Sequence, residues 1–180
     1  MAGRKVHYEA AFEDYLRAKA WPFVVVDEAK KSLFANTAIK SFDLVLYSES
    51  GPNLLVDVKG RKFPDLTRPG ARSASHAWEN WVTREDVEGL GQWQGIFGEG
   101  FRAAFVFAYW LQGPPGRSPF EDAFLFKDRH YAFVGIGLDA YIDLAKPRSQ
   151  RWQTVAAPTQ AFSEAAKDIT ALLGLGPMQY

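Results

Sequence analysis

The run Ala103-Ala-Phe-Val-Phe-Ala-Tyr-Trp-Leu111 contains no charged residue and constrains the fold more than any other segment. Even extended back to Phe101 it falls short of the ~20 apolar residues that span a bilayer. It therefore reads as a β-strand buried on both faces, which needs further layers of structure around it.

The rest of the chain supplies those layers. Residues 7–20 place Tyr8, Ala11, Phe12, Tyr15 and Leu16 at helical spacing, and Pro22 ends the pattern. Phe23 to Val26, Phe42 to Tyr47 and Leu54 to Lys59 read as strands. Between the first two, residues 27–41 are polar and basic and read as a hairpin or an irregular loop. Ser48 to Asn53, with Gly51-Pro52, is the turn between the second and third strands. A Pro-, Arg-, Ser- and Gly-rich stretch runs from Gly60 to about Trp81, and a loop that long inside a domain is commonly functional. Thr83 and Asp86 stand in capping-box spacing and start a helix towards Gly98. Ala123 to Lys127 and Tyr131 to Ile136 predict a hairpin around Asp128-Arg129. Residues 139–145 predict a short helix, Trp152 to Val155 a last strand, and Thr159 to Leu173 a helix closed by Gly174. One mixed α/β domain over residues 1–176, with 177–180 as a short tail, is the economical architecture.

Composition narrows the chemistry. The chain has no cysteine, so disulfides, thiolate metal sites and cysteine nucleophiles are out. Lys plus Arg equals Asp plus Glu at 21 each, so any grip on nucleic acid must come from a local patch. No stretch looks like a leader or a span, and the expectation is a soluble, cytoplasmic protein with no membrane partner.

The strand Leu54-Leu-Val-Asp-Val-Lys59 carries the sharpest signal. Alternation sends Leu54, Val56 and Val58 one way and Leu55, Asp57 and Lys59 the other. An acid and an amine thus share a face that is otherwise apolar, and a buried charge needs a partner. Asp43 opens the preceding strand, and an antiparallel hairpin would bring it to Asp57. Two carboxylates at one end of a sheet form the hard-oxygen site that Mg²⁺ prefers. Lys59 beside them could orient or deprotonate a water, or offset transition-state charge. Glu9, at the border of the first helix's apolar arc, is the candidate third acid, with Glu13 in reserve. The bland alternative is a salt bridge between Asp57 and Lys59 on a sheet face.

The order Glu9, Asp43, Asp57-x-Lys59 resembles the PD-(D/E)XK phosphodiesterase superfamily, closest to its archaeal Holliday-junction-resolvase branch. His7-Tyr-Glu-Ala-Ala-Phe-Glu13 also resembles the signature of a bacterial group called the HYExAFE family. That second likeness extends through Asp57-Val-Lys-Gly-Arg61, Trp78-Glu-Asn-Trp81 and Arg148-Ser-Gln-Arg-Trp152. One departure is Phe42, which stands where the superfamily motif has Pro. The resemblance implies a restriction-endonuclease-like mixed central sheet flanked by helices. It implies hydrolysis of phosphodiester bonds in DNA, branched or damaged forms included, with Mg²⁺ or Mn²⁺. Glu9, Asp43, Asp57 and the Val58 carbonyl would hold the metal, and Lys59 would serve the nucleophile. Gln94 would join the catalytic set from the helix after the acid-x-Lys strand, or else be a boundary amide. Resolvase relatives imply a homodimer, for which the sequence shows no interface signal. Arg61, Lys62, Arg68 and Arg72 are the candidate phosphate-gripping residues on the long loop. Trp78 and Trp81 would stack on bases or fill the core. A nuclease-like fold that binds without turnover, or a purely structural protein, remains the alternative reading.

Overall fold

The computed structural model describes residues 6–26, 39–71 and 76–174. Six strands form its main sheet: β1 (Phe23–Val25), β2 (Leu44–Leu46), β3 (Asn53–Phe63), β5 (Phe101–Leu111), β6 (Phe124–Phe126) and β7 (Arg129–Gly137). They lie in the order β1-β2-β3-β5-β7-β6. β3 and β5 run parallel over their whole length, and every other pair in the sheet is antiparallel. A second sheet joins β4 (Val82–Thr83), β9 (Thr154–Ala156) and β8 (Lys146–Ser149).

β5 sits inside the large sheet, and Ala103 through Tyr109 are almost wholly buried, as an uncharged run requires. Helices cover both faces. α1 (Val6–Ala18) places Ala11, Phe12, Tyr15 and Leu16 against Leu54, Val56 and Val58. The opposite face, with Leu55, Phe105, Phe107 and Tyr109, is covered by α2 (Arg84–Phe97), α3 (Leu138–Leu144) and α4 (Thr159–Ala165). α5 (Ile169–Leu172) returns to the α1 side with Ile169.

Several boundaries differ from expectation. β3 continues through Gly60, Arg61 and Lys62 to Phe63, because β5 pairs with it as far as Leu111. Tyr8 packs on Gly60 so closely that any Cβ there would collide with its ring. The expected helix over 159–173 is two helices. Lys167 exchanges backbone hydrogen bonds with Gly135 (2.7 and 2.8 Å), and Asp168 then caps α5 by accepting from Ala171 N–H at 2.7 Å. The expected strand 152–155 is shifted to Thr154–Ala156, with β8 as a partner that Lys-Pro-Arg-Ser does not announce. The start of α2 matches expectation: Thr83 and Asp86 form a full capping box, and Gly98 follows the last turn. Residues 27–38, most of the expected loop after β1, lie outside the described residues, as do Arg72 and the 177–180 tail.

Candidate active site

The parallel register sets Asp57 beside Phe105, Lys59 beside Phe107 and Arg61 beside Tyr109. Asp57 is 6 % exposed, so its carboxylate sits on a buried face of the sheet. Lys59 Nζ lies 2.9 Å from Asp57 Oδ2. The same ammonium lies 3.1 Å from Asp86 Oδ1, and Lys40 Nζ lies 2.5 Å from that oxygen. A chain of alternating charges, Asp57–Lys59–Asp86–Lys40, therefore runs from β3 into α2.

Asp43 joins from β2. Its N–H donates to Val56 O at 2.9 Å and its carbonyl accepts from Val26 N–H at 2.8 Å, which continues the ladder one residue past the strand. Its Oδ2 accepts from Val58 N–H at 2.7 Å. The stretch before Asp43 is held by α2. Trp93 Nε1 donates to Lys40 O at 3.0 Å, and Gly89 lets that carbonyl approach, since a Cβ there would stand 2.8 Å from it. The hairpin thus does bring Asp43 to Asp57.

Glu9 reaches the cluster less directly. α1 covers the face opposite Asp57 and Lys59, and Glu9 acts on Asp43 through its field. Among the described residues, no three His, Asp or Glu side chains converge closely enough to enclose a cation alone. Glu9, Asp43 and Asp57 are therefore not a closed cage.

Burial raises the affinity of Asp43 for its proton, and the Glu9 charge adds to that; the Val58 N–H and Lys59 pull the other way. Burial also pushes Asp57 up, to about 7, with Asp43 and Asp86 contributing and Lys59 opposing. For Lys59 burial works against the charge, yet Asp57 and Asp86 outweigh it and hold the ammonium above its ordinary value. Asp86 behaves oppositely to Asp57: burial is outweighed by Lys59, Lys40 and the Thr83 hydrogen bonds, and the carboxylate stays ionised. At neutral pH Lys59 is thus a fixed cation, which suits orienting an anion and not taking a proton.

Asp86 was legible as a cap but not as a member of the site. Its signal lay in the spacing: Asp86, Gly89, Leu90 and Trp93 stand at i, i+3, i+4 and i+7, the buried stripe of α2. An acid on such a stripe needs a buried cation. Gln94 Oε1 accepts from Ala103 N–H at 2.6 Å, which ties α2 to the start of β5 and is the kind of backbone partner a boundary amide takes.

Arg61 and Lys62 lie on β3 and not on a loop. Lys62 is exposed, with Nζ 5.2 Å from the Trp110 ring centroid. The Arg61 guanidinium is drawn inward: it donates to Gly60 O at 2.7 Å and to Trp81 O, and it lies 4.1 Å from the Trp81 ring centroid. Arg68 is exposed in the following turn. Trp78 packs into the core beside Phe63, Tyr109 and Phe120, whereas Trp81 lines an open groove of about 480 Å³ with Tyr8 and Arg61. Arg148 also approaches the Trp81 ring, at 5.5 Å, and Trp152 is 67 % exposed.

A curled mixed sheet with helices on both faces is a resolvase-like fold. A solved structure shares it: Hjc of Archaeoglobus fulgidus, a Holliday junction resolvase from an archaeal hyperthermophile. The likeness has a TM-score of 0.56 and 12 % identity, and it covers 98 % of this chain and 100 % of that one. At that identity what the two share is the fold. No family model and no curated protein matches the chain, so the HYExAFE likeness rests on the residues that carry it. No helix among the described residues is long and apolar enough to cross a membrane.

Proposed function

We propose that this chain is a divalent-metal-dependent endonuclease acting on DNA, with Asp43 and Asp57 at its centre. The observation that carries the reading is the pair of neighbouring, largely buried carboxylates whose proton affinities are both raised. Among the described residues no ammonium lies within ion-pair distance of Asp43, and the nearest one, on Lys59, is shared between Asp57 and Asp86. Burial and the neighbouring acids both disfavour the ionised pair, which is what a bound cation would relieve.

The donor set fits Mg²⁺ or Mn²⁺. Mg²⁺ is commonly held by one or two carboxylates, with water and substrate phosphate filling the rest, so an open pair suffices. Asp43 and Asp57 would hold the ion, with the Val58 carbonyl, whose own N–H already faces Asp43. Glu9 would add its charge from the α1 side or hold a metal-bound water. When bound, the metal would polarise the phosphate and lower the pKa of a water. Lys59, kept protonated, would orient the anionic phosphate or stabilise the charge that develops on it. Asp86 and Lys40 would act through Lys59, fixing where its ammonium points. The HYExAFE likeness of His7 to Glu13 is compatible with this role for Glu9 and adds no activity of its own.

A binder that keeps the fold without turnover is the second reading, and the lack of a closed three-acid cage among the described residues favours it. Purified protein incubated with duplex, nicked, flapped and four-way DNA plus Mg²⁺ or Mn²⁺ separates the two. The expected outcome is cleavage of at least one substrate, lost in Asp57→Ala by about a hundredfold or more, roughly 3 kcal/mol of barrier. Wild type and Asp57→Ala equally inert on every substrate would overturn the nuclease reading. Absence of Mg²⁺ binding would then leave the scaffold.

A further inference from the structure

Beyond Val58, β3 keeps β5 as a neighbour on one side while its other edge has no strand among the described residues. The orientation of that edge follows from the hydrogen bonds around it. Val56 O and Val58 N–H both face β2, whereas Phe63 O faces the β5 side and accepts from Gln112 N–H at 2.9 Å. Extended backbone alternates, so the N–H groups of Gly60 and Lys62 face the free edge, where Gly60 O already meets Arg61. This edge forms the floor of the 480 Å³ groove.

Its walls are aromatic and cationic. Tyr8 enters from α1 on one face of the sheet, and Trp81 from the segment leading to α2 on the other. Lys62, His76 and Gln112 also line it, and Glu79 is the single acid in it. Arg61 is the unusual member. Its guanidinium donates to two carbonyls and faces a ring, its Nε is buried without a hydrogen-bond partner, and among the described residues no carboxylate lies within ion-pair distance, Glu79 and Asp86 acting on it only through their fields. Burial outweighs those fields and disfavours the charge, and an anion arriving in the groove would offset that cost.

We propose that this groove seats an unpaired strand of nucleic acid beside the acid cluster, so that the preferred substrate is a duplex carrying a single-stranded tail or flap. The proposal rests on the nuclease reading and adds the substrate's form to it. A positive groove with aromatic side chains is the means by which proteins hold single strands without sequence preference. The groove's volume is on the scale of a small-molecule site, enough for a nucleotide or two and not for a base-paired step. An extended peptide could add to a free strand edge by the same N–H groups. The cations and rings along the walls favour a phosphate backbone with bases over a peptide.

The test measures binding of labelled DNA to the full chain in EDTA, by fluorescence anisotropy across a salt series. A tailed duplex and a single strand should bind about tenfold or more tightly than a blunt duplex of equal length. Tyr8→Leu should cost the tailed duplex about tenfold and leave the blunt one unchanged, while Tyr8→Phe, which keeps the ring, retains the preference. Lys62→Ala should flatten the salt slope for the single strand by about 0.7, one phosphate's worth. Arg102→Ala, at the start of β5, should change nothing. Equal affinity for blunt and tailed DNA, or identical behaviour of Tyr8→Leu and Tyr8→Phe, overturns the proposal. So does amide exchange at Gly60 and Lys62 that is slowed by an extended peptide and not by the oligonucleotide. If the tail preference holds but no substrate is cut, the groove stands and the nuclease reading fails. If blunt and tailed DNA bind alike and are cut, the reverse follows.

Discussion

β3 and β5 run side by side in parallel register, yet they use the same face of the sheet in opposite ways. β5 presents Phe105, Phe107 and Tyr109, all fully buried, and β3 presents Asp57, Lys59 and Arg61 next to them. Burying a Phe side chain contributes roughly 1.5–3 kcal/mol of stability. Burying a charge opposes folding even when it is paired. The two strands therefore divide their labour: β5 holds the domain together, and β3 gives up stability to bury a row of charges beside it.

The sharpest way to break that contrast is to substitute one buried residue on each strand. Phe107→Ala should cost about 3–5 kcal/mol, read as a lower midpoint in urea unfolding. The neighbouring strand should respond differently. Asp57→Asn removes a buried carboxylate whose ammonium partner keeps Asp86, so the protein should stay folded with its midpoint unchanged or raised. A loss at Asp57→Asn as large as at Phe107→Ala would mean the ion pair is a structural bridge and the contrast is empty.

Titration sharpens it further. In metal-free protein Asp57 has its folded pKa raised to about 7 against an ordinary 3.8. A raised acid binds its proton more tightly folded than unfolded, so its contribution to stability is full below about pH 4 and is lost as pH rises to about 7. The upper bound of that loss is roughly 4 kcal/mol, since a tenfold difference in proton affinity is worth about 1.36 kcal/mol. Unfolding midpoints measured in EDTA should fall across this window for the wild type and stay flatter for Asp57→Asn. Adding Mg²⁺ at pH 8 should restore the wild type and leave the variant unmoved. A wild-type curve that rises through the same window would contradict the buried-acid picture.

How far the sequence reached can be judged at particular residues. The alternation of Leu54 to Lys59 gave the right face for Asp57 and Lys59, and the Thr83–Asp86 capping box gave the right start for α2. Those signals are local, written in adjacent side chains. The extension of β3 through Gly60-Arg-Lys was hidden, because glycine and charges read as loop until Tyr109 and Trp110 are known to pair with them. Asp86's role needed to know which face of β3 the helix α2 would cover, and Glu9's needed to know that α1 covers the other. Neither can be decided by periodicity, which fixes a buried stripe without naming what it packs on. The break between α4 and α5 has the same origin: a backbone pairing between Gly135 and Lys167 overrode a continuous helical pattern.

Gln94 offers the smallest and cleanest test of where the site ends. Its position on the helix after the acid-x-Lys strand suits a catalytic amide, but its Oε1 is held by Ala103 N–H at 2.6 Å, at the start of the strand that carries the core. On the contrast between the strands it belongs with β5. Gln94→Ala should therefore cost about 1 kcal/mol of stability, the worth of one hydrogen bond with a backbone donor left to find water. Cleavage per folded molecule should stay within about twofold of wild type, with the metal dependence unchanged. Gln94→Glu adds a readout that packing alone would not move. It keeps the acceptor for Ala103 N–H and adds a negative charge. If Gln94 touched the reacting phosphate, that charge would depress cleavage at unchanged stability. Holding β5, it should recover most of the stability lost in the alanine variant and leave cleavage as it was.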